Sequence, residues 1–157
     1  MKTRGLILAA LHLGITLSVA GKFFYDRQTL PHVWVKAVPY DPQLPIRGRY
    51  VRIQVEAVPG TGWGAGGDVA GLRLRVENGQ LVADRRDGAE TSGTYRMGGV
   101  LISRALAYFI PQNVPDPSLR AADEELWAEV TVPPSGNLRP IRLGVKKNGL
   151  LTPLALN

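Results

Sequence analysis

Hydrophobic and polar residues alternate along most of the chain after residue 31. A period of two is typical of β-strands with one buried face. In the segment 72–77, Leu72, Leu74 and Val76 fall on one side and charged residues on the other. The Asn78-Gly79 pair that follows predicts a two-residue hairpin turn, and Asn148-Gly149 predicts another. The pattern therefore indicates many short strands joined by tight turns.

About eight strands are expected, which predicts a mainly β domain folded as a compact antiparallel barrel or sandwich. The Gly98-Gly99 pair is interpreted as a bulge within a strand. One helical turn is expected at 118–125, with Ser118 as its cap. The apolar strand positions predict a core of Val33, Val35, Val51, Ile53, Leu72, Leu74, Val76, Leu106, Tyr108, Leu126, Val130, Ile141, Leu143 and Val145.

The N-terminal stretch has a different pattern, because it is apolar without alternation. Residues 1–25 predict a transmembrane anchor, residues 26–31 a linker, and residues 32–157 a single β domain. Lys2 and Arg4 place the N-terminus in the cytoplasm by the positive-inside rule. A cleaved signal peptide is the alternative, since Ser18-Val19-Ala20 has the small-residue spacing of a cleavage site.

The amino-acid composition limits the kinds of catalytic and metal-binding sites that the chain can form. The net charge is +6 and there is no cysteine, which excludes disulfides and thiolate chemistry. His12 and His32 are the only histidines, and Asp123-Glu124-Glu125 is the only acidic run, interpreted as a solvated loop rather than a calcium site. We expect no metal and no cofactor. The moderate charge and scattered aromatic residues also argue against nucleic-acid binding.

The most distinctive segment runs from residue 38 to residue 55. Three prolines, at positions 39, 42 and 45, favour an extended loop that leads through Gly48 into the strand beginning at Tyr50. Within it, Asp41, Arg47 and Tyr50 admit two interpretations. They either fasten the loop, with Asp41 capping a turn, or present Arg47 and Tyr50 to a partner at low entropic cost.

This segment resembles the signature of the GDYXXLXY family. Gly48 and Tyr50 match the motif and Ile53 replaces Leu, whereas Arg49 and Val55 stand where the motif has Asp and Tyr. A second run, Tyr108-Phe109-Ile110-Pro111, is similar to a Tyr-Phe-x-Pro run of the family, with Gln112 in place of Glu. The resemblance implies a membrane-anchored extracytoplasmic β domain without an established activity. The candidate binding residues are Asp41, Arg47, Gly48, Arg49, Tyr50, Tyr108 and Pro111.

The functional hypothesis is a single-pass protein of the bacterial cytoplasmic membrane, with its C-terminal domain in the periplasm. It would be a non-enzymatic binding or accessory module, with another inner-membrane protein as one possible partner and an undefined oligomeric state. The alternatives are a membrane-tethered hydrolase of the Ser-Lys type and a secreted soluble domain. Arginines on predicted polar strand faces raise a further possibility, a basic patch for anionic lipid: Arg49, Arg52, Arg73, Arg75, Arg139 and Arg142.

Overall fold

A computed structural model describes residues 2–40, 50–63, 66–111 and 113–155, and the side chains from residue 5 onward. The chain divides into two compact units after Leu30. The first is one helix, α1 (Lys2–Thr29). Within its described ranges, the second has ten strands: β1 (His32–Pro39), β2 (Tyr50–Pro59), β3 (Gly67–Glu77), β4 (Gln80–Arg85), β5 (Thr91–Arg96), β6 (Gly99–Ile102), β7 (Leu106–Phe109), β8 (Glu124–Thr131), β9 (Arg139–Lys147) and β10 (Leu150–Pro153).

Helix α1 is apolar, and its apolar side chains are exposed to solvent. The stretch Gly5–Thr29 has a mean hydropathy of 1.7, and none of its best window is buried. At 1.5 Å per residue it is about 37 Å long, which exceeds a hydrocarbon core of about 30 Å. Gly5–Thr29 is therefore long and apolar enough to span a membrane, although a signal sequence has the same properties.

The polar side chains within the helix are satisfied by its own backbone. His12 donates from Nδ1 to the Leu8 carbonyl at 2.9 Å, and the Thr16 hydroxyl donates to the His12 carbonyl at 2.8 Å. Such internal bonds lower the penalty for placing polar groups in hydrocarbon. The helix also continues through residues 26–29, which were expected to be a linker, and Leu30 still donates to the Asp26 carbonyl. It stops before Pro31, because the residue preceding a proline disfavours the helical conformation.

Strand β2 is the centre of the β domain. Ile53 has Cα partners on both sides, Pro39 of β1 and Leu106 of β7, so these two strands lie on opposite edges of β2. Farther along β2, Glu56 faces Leu101 of β6 and Val58 faces Val82 of β4. Four strands therefore pair with this one strand.

Five strands close into a barrel in the order β2-β4-β3-β5-β6 and back to β2. The closure between β2 and β4 is parallel, whereas the other strand pairings among the described residues are antiparallel. A sheet of β1, β8, β9 and β10 extends from one edge of β2, and β7 lies on the other edge. The prediction of an N-terminal helix followed by a barrel-like β domain is thus confirmed, with ten strands instead of about eight and with one parallel pairing.

Most of the predicted core is buried. Ten of the fourteen positions are buried, Val76 and Tyr108 pack partly buried against them, and Ile141 and Val145 are half-exposed. The pattern missed several buried residues near the barrel closure: Val55, Ala57, Leu81, Ala83, Val100 and Ile102. Strand β4 buries three consecutive residues, Leu81 to Ala83, so a strict period of two does not apply there.

Two local predictions were wrong. The expected bulge at Gly98-Gly99 is a hairpin turn, in which Met97 and Gly98 connect β5 to β6 with φ of 43° and 87°. The segment from Ser118 contains turns but no helix, and β8 begins at Glu124. There the Asp116 carboxylate accepts hydrogen bonds from the Ser118 amide and hydroxyl, which fixes a side-chain-capped turn instead of a helix start.

Candidate functional site

An exposed aromatic cluster forms where β1, β2 and β7 meet. Tyr50 and Phe109 are Cα partners across β2 and β7, and their rings contact edge to face with centroids 5.6 Å apart. Tyr50 is 55% exposed and Phe109 is 59% exposed. Large aromatic side chains are usually buried to a greater degree, so an exposed, mutually packed pair at the end of a sheet is typical of a contact surface.

The same cluster contains a cation. Arg52 follows Tyr50 by two residues on the outward face of β2, and its guanidinium lies 5.4 Å from the centre of the Tyr40 ring. The Tyr40 amide donates to the Arg52 carbonyl at 2.8 Å, which continues the β1–β2 ladder by one residue. We call Tyr40, Tyr50, Arg52 and Phe109 the aromatic corner. Its side chains stand on paired strands, so their positions are set by the sheet.

Four of the predicted site residues, Asp41, Arg47, Gly48 and Arg49, lie outside the described residues. They belong to the segment that connects Tyr40 to Tyr50, so both ends of this segment are in the aromatic corner. Of the other three, Tyr50 belongs to the corner. Tyr108 pairs with Val51, on the opposite face of the β2–β7 ladder, and packs partly buried against the core. Pro111 is half-buried, and its carbonyl accepts a hydrogen bond from Val114 in a turn.

The structure therefore brings Tyr50 together with Phe109 and not with Tyr108. The sequence prediction singled out Tyr108 because the motif resemblance contains it. The alternation along β7 could have identified Phe109, since Leu106 and Tyr108 point inward and Ala107 and Phe109 point outward. Tyr40 and Arg52 were missed because their contact depends on the register between β1 and β2, which the sequence does not state.

Two of the six arginines considered for a basic patch are engaged in ion pairs, and Arg49 lies outside the described residues. Arg75 is engaged by two carboxylates, Glu77 and Asp84, and Arg142 by that of Glu129. The hydrogen bonds from Arg75 and from the Thr61 amide hold the pKa of the Asp84 carboxyl below its usual range. These arginines thus fasten neighbouring strands instead of presenting free charge.

The acidic run 123–125 is likewise neutralised by lysines. Lys147 contacts Asp123 at 2.9 Å, and Lys36 donates to Glu125 at 2.7 Å. Among the described residues, no cluster of three or more histidine, aspartate or glutamate side chains has the geometry of a metal site. The third lysine of the β domain, Lys146, lies over the Trp127 ring. Each of these three lysines thus contacts a carboxylate or an indole ring.

No family model matches the chain, and no curated protein or solved structure matches it. The resemblance to the GDYXXLXY family rests on the quoted residues and stays a prediction. What the aromatic corner can do must follow from its own geometry. Tyrosine, phenylalanine and arginine on a preorganised sheet edge provide apolar area together with hydrogen-bond donors, a composition suited to binding another protein.

Proposed function

We propose that this protein is a membrane-anchored binding module of the bacterial envelope. Its aromatic corner would dock on another protein of the cytoplasmic membrane. The observation that carries the proposal is the exposed Tyr50–Phe109 pair, supported by the cation of Arg52, on a β domain that follows an exposed apolar helix. Contacts rich in Tyr and Arg often dominate the energetics of protein interfaces.

A membrane anchor on this protein favours a binding partner that lies in the same membrane. A shared bilayer confines both proteins to a thin layer and raises their effective concentration, so a small contact area suffices for association. Only Leu30 and Pro31 separate the last helical residue from β1. The basic residues Lys2 and Arg4 favour a cytoplasmic N-terminus, which would leave the β domain on the periplasmic side.

Topology is tested with reporters fused after the last residue. A reporter active only outside the cytoplasm should give signal, and one that fluoresces only in the cytoplasm should not. Retention of residues 1–20 in the intact mass of the membrane protein distinguishes an anchor from a cleaved signal peptide. The reverse reporter pattern would contradict the proposed orientation, and a mass lacking these residues would contradict the anchor.

Binding is tested by quantitative co-purification from native membranes with the double variant Tyr50→Ala/Phe109→Ala. We expect the membrane partner to be depleted about tenfold or more, in line with the loss of two interface aromatics. The matched control is Leu119→Ala, which removes an exposed apolar side chain that does not belong to the aromatic corner. Equal recovery with all three proteins would contradict the proposal.

A further inference from the structure

A second surface lies on the outward face of β1, β2 and β8, apart from the aromatic corner. It is an open groove of about 630 Å³. Two tryptophans, Trp34 and Trp127, form part of its lining, and the tip of the β5–β6 hairpin supplies Met97. Such a groove is large enough to hold several side chains of a bound ligand.

The two indole rings are held in place by their neighbours. Trp34 lies against Gly144 of β9, where an added Cβ would come within 2.8 Å of the ring and would displace it. The Trp127 Nε1–H donates to the Glu125 carboxylate at 3.2 Å. Rings fixed in this way lose little conformational entropy when a ligand binds.

Both rings already attract cations of this chain. The Arg142 guanidinium lies 5.4 Å from the centre of the Trp34 ring, and the Lys146 ammonium lies 4.5 Å from that of Trp127. The negative potential above an indole face accounts for both contacts. This face of the sheet is therefore an environment in which a positive group is stabilised.

One carboxylate in the groove has no hydrogen-bond partner among the described residues. Lys36, Glu56 and Glu125 are the charged groups that line it. Lys36 donates to Glu125 at 2.7 Å, which leaves the half-buried Glu56 carboxylate with only a more distant attraction to Lys36. A partly desolvated carboxylate beside two indoles is complementary to a cationic ligand group.

The apolar rim points to a ligand with apolar groups as well. Met97 is fully exposed and has a positive φ of 43°, whereas the equivalent positions of the other two hairpin turns hold Asn78 and Asn148, with φ of 50° and 51°. Asparagine tolerates this conformation and methionine is strained in it. An exposed methionine in a strained turn lowers the stability of the fold, which points to a role in binding. Its flexible side chain can adapt to apolar groups of a ligand. Val58, which is 41% exposed, extends the same rim.

We propose that this groove binds a polypeptide segment in which a Lys or Arg side chain lies between apolar residues. The cation pairs with Glu56 and approaches the indoles, and the apolar residues contact Met97 and Val58. The site is independent of the aromatic corner, and the proposal does not rest on the function assigned to that surface.

The test uses the full-length protein in phosphatidylcholine nanodiscs and a fluorescent peptide of alternating valine and arginine. Fluorescence anisotropy should show saturable binding to the loaded nanodiscs and none to empty nanodiscs. The peptide with glutamate in place of arginine should not bind. Failure of the arginine peptide to saturate at millimolar protein, or equal binding of both peptides, would overturn the proposal.

Two variants and one control variant locate the contact. Glu56→Gln should raise the Kd about fivefold, since a partly exposed charge pair contributes about 1 kcal/mol. Glu90→Gln, an equal charge change at an exposed position outside the groove, should leave the Kd unchanged. Met97→Asn should raise the Kd about threefold or more while it raises the melting temperature, because it relieves the strained turn. A variant Glu56→Gln that binds like the wild type overturns the role of the carboxylate.

Two further outcomes distinguish this groove from the aromatic corner and from a dimer interface. Tyr50→Ala/Phe109→Ala should bind the peptide normally, and loss of binding in that variant would overturn the independence of the groove. Sedimentation of the protein in detergent should show the same association state for the wild type and Met97→Asn. Dimers that disappear in Met97→Asn would overturn the proposal in favour of a second copy of this chain as the occupant.

Discussion

Gly93 shows how one residue constrains the barrel closure. It lies on β5, where an added Cβ would meet the Leu101 carbonyl oxygen at 2.8 Å and the Leu72 side chain at 2.9 Å. The carbonyl belongs to the β5–β6 ladder and cannot move without breaking pairing. Only a residue without a side chain fits between these strands.

Gly93→Ala should therefore destabilise the β domain by about 1–3 kcal/mol, the usual range for overpacking in a dense core. Chemical denaturation of the full chain in detergent, followed by tryptophan fluorescence, gives the free energy of unfolding. Gly99→Ala is the matched control, because its Cβ would find no atom closer than 3.8 Å. A Gly93→Ala protein as stable as the control would show that the strands are less closely packed than these distances imply.

Asp84 makes the stability of the domain sensitive to acid. Its hydrogen bonds with Arg75 and the Thr61 amide lower the pKa of the carboxyl in the folded state. A carboxyl with a lowered folded pKa stabilises the fold at pH values above its unfolded pKa of about 4, and this stabilisation is lost as the pH falls through the folded pKa.

Asp84→Asn should lower stability at pH 7 and flatten the loss of stability between about pH 5 and pH 3. Urea midpoints measured at several pH values across this window compare the variant with the wild type. Glu90→Gln serves as the control for removal of a carboxylate, and its profile should follow that of the wild type. Parallel profiles for Asp84→Asn and wild type would refute the linkage.

At the scale of elements, β2 is the strand on which the others depend. Ile53 is fully buried and pairs with residues of both β1 and β7. Ile53→Val should lower the free energy of unfolding by about 1 kcal/mol and Ile53→Ala by about 2–5 kcal/mol, because a larger cavity remains. Gln54→Ala, on the outward face of the same strand, should change it much less. Equal effects of all three substitutions would contradict the central place of β2.

The helix is tested as an element by adding charge to its apolar surface. Arginine at the centre of a membrane-spanning helix opposes insertion by about 3 kcal/mol per residue. Leu13→Arg/Leu17→Arg should therefore reduce the fraction of protein that stays in carbonate-washed membranes, whereas Leu13→Phe/Leu17→Phe should not. Both positions are exposed in the helix, so the substitutions disturb no packing there. Unchanged retention of the arginine variant would argue against a membrane span.

Several strands and hairpins could be predicted from the sequence. The elements that were missed have identifiable physical causes. Alternation predicted β1, β3 and β8, and the Asn-Gly pairs predicted two hairpins, because these signals are local. The third hairpin was missed, since Met97 is a poor residue for positive φ. Pairing of β2 with β4 joins segments far apart in the sequence, and a local pattern carries no information about it.

The candidate site also combines residues that the local sequence predicts with residues that only strand pairing brings together. Tyr50 could be predicted from the start of an alternating strand, but its neighbour Phe109 depends on the register of β7 against β2. The groove was missed altogether, because Trp34 and Trp127 lie 93 residues apart and meet only when β1 pairs with β8. Sites assembled from several strands are set by tertiary pairing, which local sequence patterns do not specify.

For the whole molecule, the proposal of a tethered binding protein rests on an apolar helix and on a separate β domain with two exposed surfaces, the aromatic corner and the groove. The ion pairs of Lys36, Arg75, Arg142 and Lys147 neutralise much of the strand-face charge. Among the described residues of this domain, the exposed large aromatic and apolar side chains are Tyr40, Tyr50, Val58, Met97, Phe109, Leu119 and Leu150. Six of these seven side chains lie on strands, at strand ends or in hairpin turns, where the backbone fixes their direction.

The central claim is that the aromatic corner contacts a membrane partner, and site-specific photo-crosslinking in native membranes tests it most directly. A photoreactive phenylalanine analogue is placed at position 109, and at the exposed position 85 as the control. We predict one adduct of defined mass from position 109, none from position 85, and loss of the adduct with Tyr50→Ala. No adduct from position 109, or equal adducts from both positions, would contradict the account.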